Sequence, residues 1–149
     1  MSDFVLKSPS FVEGGPIPAR HTCDGQNLSP ALAWEGAPAG AISFTLIVDD
    51  PDARGFIHWV VYNMTGGATG GLPEGVGSAA PPEGLNNFGR VGYGGPCPPG
   101  GTHRYRFTLY ALSAPLMPVG VPSASDIRRA LEPVLLGQTM LTAKYTRRR

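Results

Sequence analysis

Carboxylate and imidazole side chains lie beside turns in this sequence, and their types point to a small set of chemistries. Asp50 and Asp52 flank a proline at the end of an apolar run, and His58 lies inside the next apolar run. His103 follows a segment rich in glycine and proline, residues 94–101. Two carboxylates and two imidazoles in one pocket could ligate a metal ion, carry out acid–base hydrolysis or bind an anion.

Anion binding, the third of these chemistries, would use these residue types as follows. A carboxylate beside an imidazole fixes its tautomer and favours its charged form. Charged histidines, together with backbone N–H groups of a glycine-rich rim, would donate hydrogen bonds to a phosphate group. We therefore expect His58 and His103 to donate to the anion. We expect Asp50 and Asp52 to face and orient the histidines, because an ionised carboxylate that faced the anion would repel it.

Recognised catalytic and metal-binding motifs are absent from the sequence. The spacing of the Asp and His residues matches no sharp metal-ligand motif, and no His-Glu-x-x-His, Cys-x-x-Cys, Gly-x-Ser-x-Gly or Walker loop occurs. Cys97 lies between prolines, which suits a rigid wall better than a nucleophile. We expect no metal and no cofactor. A small metal-assisted hydrolase that uses the same Asp and His residues is kept as the alternative.

The elements that must bring these residues together are predicted to be mainly strands. Short runs rich in β-branched and aromatic residues, bounded by turn residues, predict strands over residues Phe4–Lys7, Ala31–Trp34, Ile42–Asp49, Ile57–Met64, His103–Leu112 and Met140–Tyr145. If the third, fourth and fifth of these strands share a sheet, the 50–52 turn, His58 and His103 converge at one edge of it.

One helix is predicted towards the end of the sequence. Ser123 is a suitable N-cap with Asp126 three residues later, an arrangement that resembles a capping box, and apolar residues follow at helical spacing. Pro133 should end or kink this helix, and Gly137 should terminate what remains of it.

The stretch from Thr65 to Gly101 is predicted to be irregular, because glycine and proline crowd it. In its proline-rich part we expect one X-Pro bond in the cis form, as tight proline-rich turns permit. Trp34 and Trp59 lie on predicted strands and are expected in the core. His21 is expected in a loop, outside any pocket.

Composition predicts one domain and excludes several classes of protein. The chain has 149 residues, 42% hydrophobic and 15% charged, so we assign residues 1–149 to a single folded domain. The net charge is +1 and the last three residues are arginines, so the body carries no basic patch for nucleic acid. No apolar run could span a membrane, and no signal-peptide pattern is visible, so we expect a cytoplasmic protein. In that reducing compartment Cys23 and Cys97 are expected to be free thiols.

Five groups of residues, in this order, resemble the phosphatidylethanolamine-binding protein family. They are Asp24-Gly-x-Asn-x-Ser-Pro30, Asp50-Pro-Asp-Ala53, His58-Trp-Val-Val-Tyr-Asn63, Asn87-Phe-Gly-Arg-x-Gly-Tyr93, and Gly95-Pro-Cys-Pro-Pro-Gly100 with Thr102-His-Arg-Tyr105. The similarity is strongest to the bacterial and archaeal branch, called Raf kinase inhibitor-like, and extends from about Phe4 to Arg147.

The resemblance implies a mainly β fold: a central antiparallel sheet, a smaller flanking sheet and a few short helices. It also implies a small, stiff pocket for phosphate-like groups. The walls of that pocket, carried over by position, are Asp50, Asp52, His58, Pro98, Pro99, His103 and Tyr105, with Cys97 as a neighbour. Tyr105 enters this set through the resemblance alone. The segment between Asp52 and His58 is shorter than in eukaryotic members, and no long C-terminal helix follows Tyr145, so partner surfaces such as those toward Raf-type kinases do not transfer.

The function expected from these residues is non-enzymatic binding or regulation. The ligand would be a phosphate-type small anion or a phospholipid headgroup, and a kinase or a protease is the protein partner that we consider. A third hypothesis is a protein-interaction module that inhibits a protease or a kinase through its surface loops. We expect no nucleic-acid partner and no integral membrane association, and the sequence indicates no oligomeric state.

Overall fold

Two antiparallel β-sheets pack against each other across the main apolar core. The structure is a computed structural model that describes residues 3–76 and 81–147. Its strands are β1 (Val5–Lys7), β2 (Leu32–Glu35), β3 (Ser43–Asp50), β4 (Phe56–Thr65), β5 (Gly70–Leu72), β6 (Thr102–Leu112) and β7 (Leu135–Thr146). The smaller sheet has the order β1-β2-β5 and the larger one β4-β3-β6-β7. The predicted mainly β architecture is confirmed.

Helical structure in the described residues is short. Helix α1 (Ala124–Leu131) is the one α-helix there, and 3₁₀ turns occur at Ala19–His21, Pro51–Ala53 and Glu132–Val134. None of the helices in this part of the chain has the length and apolarity needed to cross a membrane. Arg148 and Arg149 of the basic terminal run lie outside the described residues.

The sequence located six of the seven strands that occur in the described part of the chain. Most predicted ends differ from the observed ones by a single residue, but β7 begins at Leu135 instead of Met140. Gly137 was expected to terminate the helix, and it lies in β7 instead. Helix α1 ends at Leu131, before Pro133. A Cβ at Gly137 would lie 2.9 Å from Pro38 Cγ, so a glycine at this position lets β7 pass close to the loop that carries Pro38. The stretch predicted to be irregular contains β5, which the sequence did not reveal.

The central strand β3 is buried along its whole length because both faces of the larger sheet are covered. One face packs against the smaller sheet, where Trp34 and Phe44 have ring centroids 4.4 Å apart. The other face packs against α1, through Ile47 on the strand and Ile127 on the helix. Trp34 and Trp59 are both buried, which confirms their predicted place in the core.

Strand register brings three strand ends together. In the hairpin of β3 and β4, Asp50 lies opposite Phe56, and on the other side of β3, Asp49 lies opposite Arg106 of β6. The prediction that these three strands share a sheet is therefore confirmed. Side chains from the end of β3, the beginning of β4 and the beginning of β6 consequently meet at one edge of the larger sheet.

The capping box at the start of α1 should contribute measurably to stability. Ser123 Oγ accepts from the Asp126 backbone N–H at 3.1 Å, and Asp126 Oδ2 accepts from the Ser123 N–H at 3.0 Å. We expect Ser123→Ala to lower the free energy of unfolding by about 1 kcal/mol in urea denaturation. Ser125→Ala is the control, since Ser125 is an exposed residue inside the same helix. An equal effect of the two substitutions would contradict the capping role.

Candidate functional site

A small cavity lies where the ends of β3, β4 and β6 meet. Its volume is about 210 Å³. It is lined by Asp50, Ala53, Phe56, His58, Phe88, Cys97, Pro98, Pro99, His103 and Tyr105. Seven of the eight residues expected at the pocket therefore line one cavity, and the eighth, Asp52, does not.

Asp50 supplies the one buried carboxylate of the cavity wall. Its Oδ2 accepts a hydrogen bond from His103 Nδ1 at 2.5 Å. Its Oδ1 accepts from the Asp52 backbone N–H at 2.8 Å and so caps the turn that follows β3. Arg54 and Gly55, at φ 58° and 76°, then reverse the chain into β4. Both carboxylate oxygens thus accept hydrogen bonds, which offsets the loss of water around a residue that is only 2% exposed.

His58 is fixed by a backbone carbonyl rather than by a carboxylate. Its Nδ1 lies 2.6 Å from Gly94 O, and because a carbonyl can only accept, Nδ1 carries the proton. Desolvation by burial lowers the pKa of His58, outweighing the opposite effects of the Gly94 carbonyl and of Asp50. The neutral ring therefore keeps an unprotonated Nε2, which can only accept a hydrogen bond, so the donor role expected of His58 does not fit this ring. The rings of Phe56, Phe88 and Tyr105 pack around it, with centroids 5.1, 5.4 and 5.2 Å away.

His103 is the second imidazole, and its environment differs. Its Nδ1 donates to Asp50, so Nε2 is again the nitrogen left for a guest. His103 is partly exposed, whereas His58 is buried. The ring stacks on Tyr105, and burial together with the nearby Asp50 charge raises the pKa of Tyr105, which keeps that phenol protonated.

Asp52 was expected to orient a histidine, but it binds Arg104 instead. Its Oδ2 accepts from the Arg104 backbone N–H at 2.8 Å, and its two oxygens accept from the guanidinium at 2.9 and 3.1 Å. These hydrogen bonds lower the pKa of Asp52 to about 2. Arg104 points away from His103 and Tyr105, as strand alternation requires. Asp52 therefore holds the turn against β6 from outside the cavity.

The glycine- and proline-rich rim is tied down from both sides. The Gly94 N–H donates to His58 O, the Gly95 N–H donates to Asn27 Oδ1, and each of these distances is 2.9 Å. A disulfide joins Cys97 to Cys23, so the prediction of two free thiols is wrong. The rim and the loop that carries Cys23 are distant in sequence, and only the tertiary fold shows that they pack together. Every peptide bond described is trans, so the expected cis bond is also wrong.

Three lining residues were missed by the sequence reasoning: Ala53, Phe56 and Phe88. Phe56 could have been found, since it lies two residues before His58 on the same strand and hence on the same face. Phe88 carries no such signal, because it lies in a loop and reaches the cavity only through tertiary packing.

The buried His21 and a larger groove lie apart from this cavity. His21 was expected in a loop, and it is fully buried in a 3₁₀ turn, where Nδ1 bonds Leu28 O at 2.8 Å.

A groove of about 950 Å³ contains Asp24 and Lys144. There Asp24 accepts from Tyr145 Oη at 2.5 Å and from Arg147 Nε at 3.1 Å. Across residues 3–76 and 81–147, no three His, Cys, Asp or Glu side chains are grouped to hold a metal ion.

Comparison with known proteins gives consistent matches over nearly the whole chain. A family model described as phosphatidylethanolamine-binding protein matches residues 7–146. A protein of Methanothermobacter thermautotrophicus, named UPF0098 protein, is 44% identical, and the match covers 95% of this chain and 98% of that protein. The crystal structure of CT736, a homologue of phosphatidylethanolamine-binding protein from Chlamydia trachomatis, is similar with a TM-score of 0.90 and 34% identity. That of YbcL from E. coli, described as a new member of the mammalian family, gives 0.89 and 32%. Each of these two structural matches covers 99% of this chain and 100% of the matched chain.

The disulfide should contribute strongly to stability, because it closes a long loop. Cys23 and Cys97 are 74 residues apart, for which the chain-entropy model gives about 4 kcal/mol. We expect the double variant Cys23→Ser/Cys97→Ser to lose roughly that much free energy of unfolding in urea. The wild type measured in dithiothreitol is the matched control and should approach the variant. An unchanged unfolding midpoint in both would contradict the bond.

His58 should make the protein less stable in mild acid. Its pKa is lowered in the folded state, so as pH falls through about 6.5 the unfolded chain binds the proton first. The contribution of neutral His58 to the free energy of unfolding is therefore complete above about pH 6.5. It falls as the pH drops below that value, by at most about 1.4 kcal/mol per pH unit. His58→Asn can keep the donor to Gly94 O but cannot titrate. In urea denaturation at pH 7.5 and 5.5, the wild type should lose more stability than this variant, and equal losses would refute the assignment.

Proposed function

The chain belongs to the phosphatidylethanolamine-binding protein family, and from that membership we propose that it is a non-enzymatic binding or regulatory protein whose cavity receives a phosphate-type anion. The family supports a binding or regulatory role in general terms. The cavity residues support the choice of ligand: Asp50, His58, His103 and Tyr105 line one small space.

One observation carries this proposal. The Nδ1 atoms of both histidines are held by protein acceptors, Gly94 O and Asp50 Oδ2, so each ring is oriented with Nε2 as its remaining hydrogen-bonding atom. A site whose side chains are fixed before the ligand arrives loses little conformational entropy on binding. The stiff proline wall of the rim adds to this preorganisation.

The Asp50–His103 pair can offer a donor to the guest without adding a net negative charge to the cavity. When His103 is protonated, the pair is neutral overall and Nε2–H donates to an anionic oxygen. The protonated phenol of Tyr105 adds a further neutral group to the wall. The proposed protein partner is a kinase or a protease, which would be regulated through a phosphorylated side chain held in this cavity.

Hydrolysis is the second candidate function, and one observation favours it. An imidazole that donates through Nδ1 to a buried carboxylate, at 2.5 Å here, is also the arrangement of a general base. Cys97 cannot act as a thiolate nucleophile while it is bonded to Cys23. Under this alternative His103 would activate a water molecule, and turnover of a phosphate ester would be measurable.

The test is a histidine-resolved NMR titration of metal-free protein with phosphoethanolamine. We expect the His58 and His103 signals to shift together and saturably, with no release of inorganic phosphate. His103→Asn can retain the donor to Asp50 while removing Nε2, and it should weaken binding by about 1.5–3 kcal/mol, the range for a hydrogen bond to a charged group.

Lys144→Ala is the matched control, since it removes the lysine of the larger groove and leaves the cavity intact. Its affinity should equal that of the wild type. If Lys144→Ala abolished binding while His103→Asn did not, the groove would be the anion site. If phosphate were released, the enzyme alternative would replace the binding function.

A further inference from the structure

The groups that the cavity presents to a guest include an acceptor that a fully ionised phosphate cannot satisfy. His58 uses its Nδ1 proton on Gly94 O, so the neutral ring offers only the lone pair of Nε2. A phosphate dianion and a phosphate diester both lack a hydrogen-bond donor on phosphorus oxygen. Either would set an anionic oxygen against this lone pair, in a place that is almost closed to water.

We propose that the cavity selects a phosphate monoester that retains one P–OH proton, with that hydroxyl donating to His58 Nε2 and the ionised oxygens accepting from His103. This inference rests on the proposed anion site and narrows its ligand class. Monoesters include small phosphorylated metabolites and phosphorylated side chains. The phosphate of a phosphatidylethanolamine headgroup is a diester, so it leaves His58 Nε2 without a donor.

Burial keeps the ring of His58 neutral against neighbours that favour its charged form. Those neighbours are the carboxylates of Asp49 and Asp50 and the backbone of Gly94 and Gly95. Around the ring pack Phe56, Phe88 and Tyr105, and His103 and the disulfide-bonded Cys97 line the same cavity. The two carboxylates would favour a charged imidazole, but both are already engaged. Asp49 accepts two hydrogen bonds from Arg106, at 2.8 and 3.0 Å, and Asp50 accepts from His103.

Burial outweighs these neighbours, because desolvation has the largest effect on the pKa of His58 and lowers it. The remaining neighbours are aromatic or backbone groups that carry no charge. The proton between His58 and the guest is therefore carried by the guest, and His58 accepts a hydrogen bond from it. His103, which faces a carboxylate and is more exposed, supplies the complementary donor.

A dependence on pH follows from the ligand itself. The second pKa of a phosphate monoester is about 6, so above that pH the P–OH form becomes tenfold rarer with each unit. A diester has no such titration. Any protonation of His103 affects both ligands alike, so the ratio of their affinities isolates the P–OH proton.

The experiment compares phosphoethanolamine with glycerophosphoethanolamine, a monoester and a diester that share the same ammonium group. Calorimetry on the full chain at pH 6, 7 and 8 measures both affinities, and buffers of different ionisation enthalpy count the protons taken up. We expect the monoester to bind at least about tenfold more tightly at pH 6, the size expected when one buried acceptor is left unpaired. This preference should shrink towards pH 8, where the monoester should take up about one proton more than the diester.

The outcomes separate this inference from the proposed function. If both ligands bind equally, or if their affinity ratio does not change with pH, the P–OH proposal is overturned while the anion site stands. If neither ligand binds at any pH, the proposed function falls as well. A diester that binds with the same proton uptake as the monoester would mean that His58 itself is protonated, which also overturns the proposal.

His58→Asn provides the matched variant. The asparagine amide can replace the donor to Gly94 O, but it removes the acceptor at Nε2. We expect the preference for the monoester to fall to within about threefold, and the ratio of the two affinities is the quantity that decides. Retention of the full preference in a folded variant would overturn the role of His58. If the variant does not fold, the comparison of the two ligands on the wild type decides alone.

Discussion

The buried carboxylate of Asp50 is the constraint on which the cavity depends. A charge in this position is costly unless hydrogen bonds replace the lost water. Here the replacements come from the turn that follows β3 and from His103 on β6, so one side chain fixes both the hairpin turn and an imidazole. The strand register makes this possible, because β3 lies between β4 and β6 and ends at the edge of the sheet where those two strands begin.

The two histidines illustrate how one sheet edge produces two different ring environments. His58 is oriented by a backbone carbonyl and enclosed by aromatic rings, whereas His103 is oriented by a carboxylate and is more open to solvent. Each ring holds its Nδ1 against a protein acceptor, yet only His103 faces a carboxylate. Paired titratable groups with divergent surroundings are a common way for a site to assign a donor and an acceptor without changing residue type.

Much of this arrangement could be predicted from the sequence, because it follows from local patterns. The apolar run ending at Asp49 and the turn at Asp50 indicated a hairpin, and the resemblance placed Tyr105 with the histidines. Strand β5 was missed because the residues Gly70–Leu72 carry no strand signal. The glycine at position 70 lets the Trp34 ring lie against the backbone of this strand, since a Cβ there would lie 2.2 Å from Trp34 Cζ2. The Cys23–Cys97 bond and the pairing of Asp52 with Arg104 join parts of the chain distant in sequence, so local patterns could not reveal them.

The order of the site residues along the chain has a consequence for biosynthesis. Asp50 and His58 belong to a hairpin that leaves the ribosome early, while the Gly94 carbonyl and His103 follow some 36 and 53 residues after their respective partners. A nascent chain that stops before Gly94 therefore holds an imidazole without its carbonyl partner, and one that stops before His103 holds a carboxylate without its imidazole partner. The cavity wall is complete only when the residues up to Tyr105 are present, so a shorter translation product would lack part of that wall.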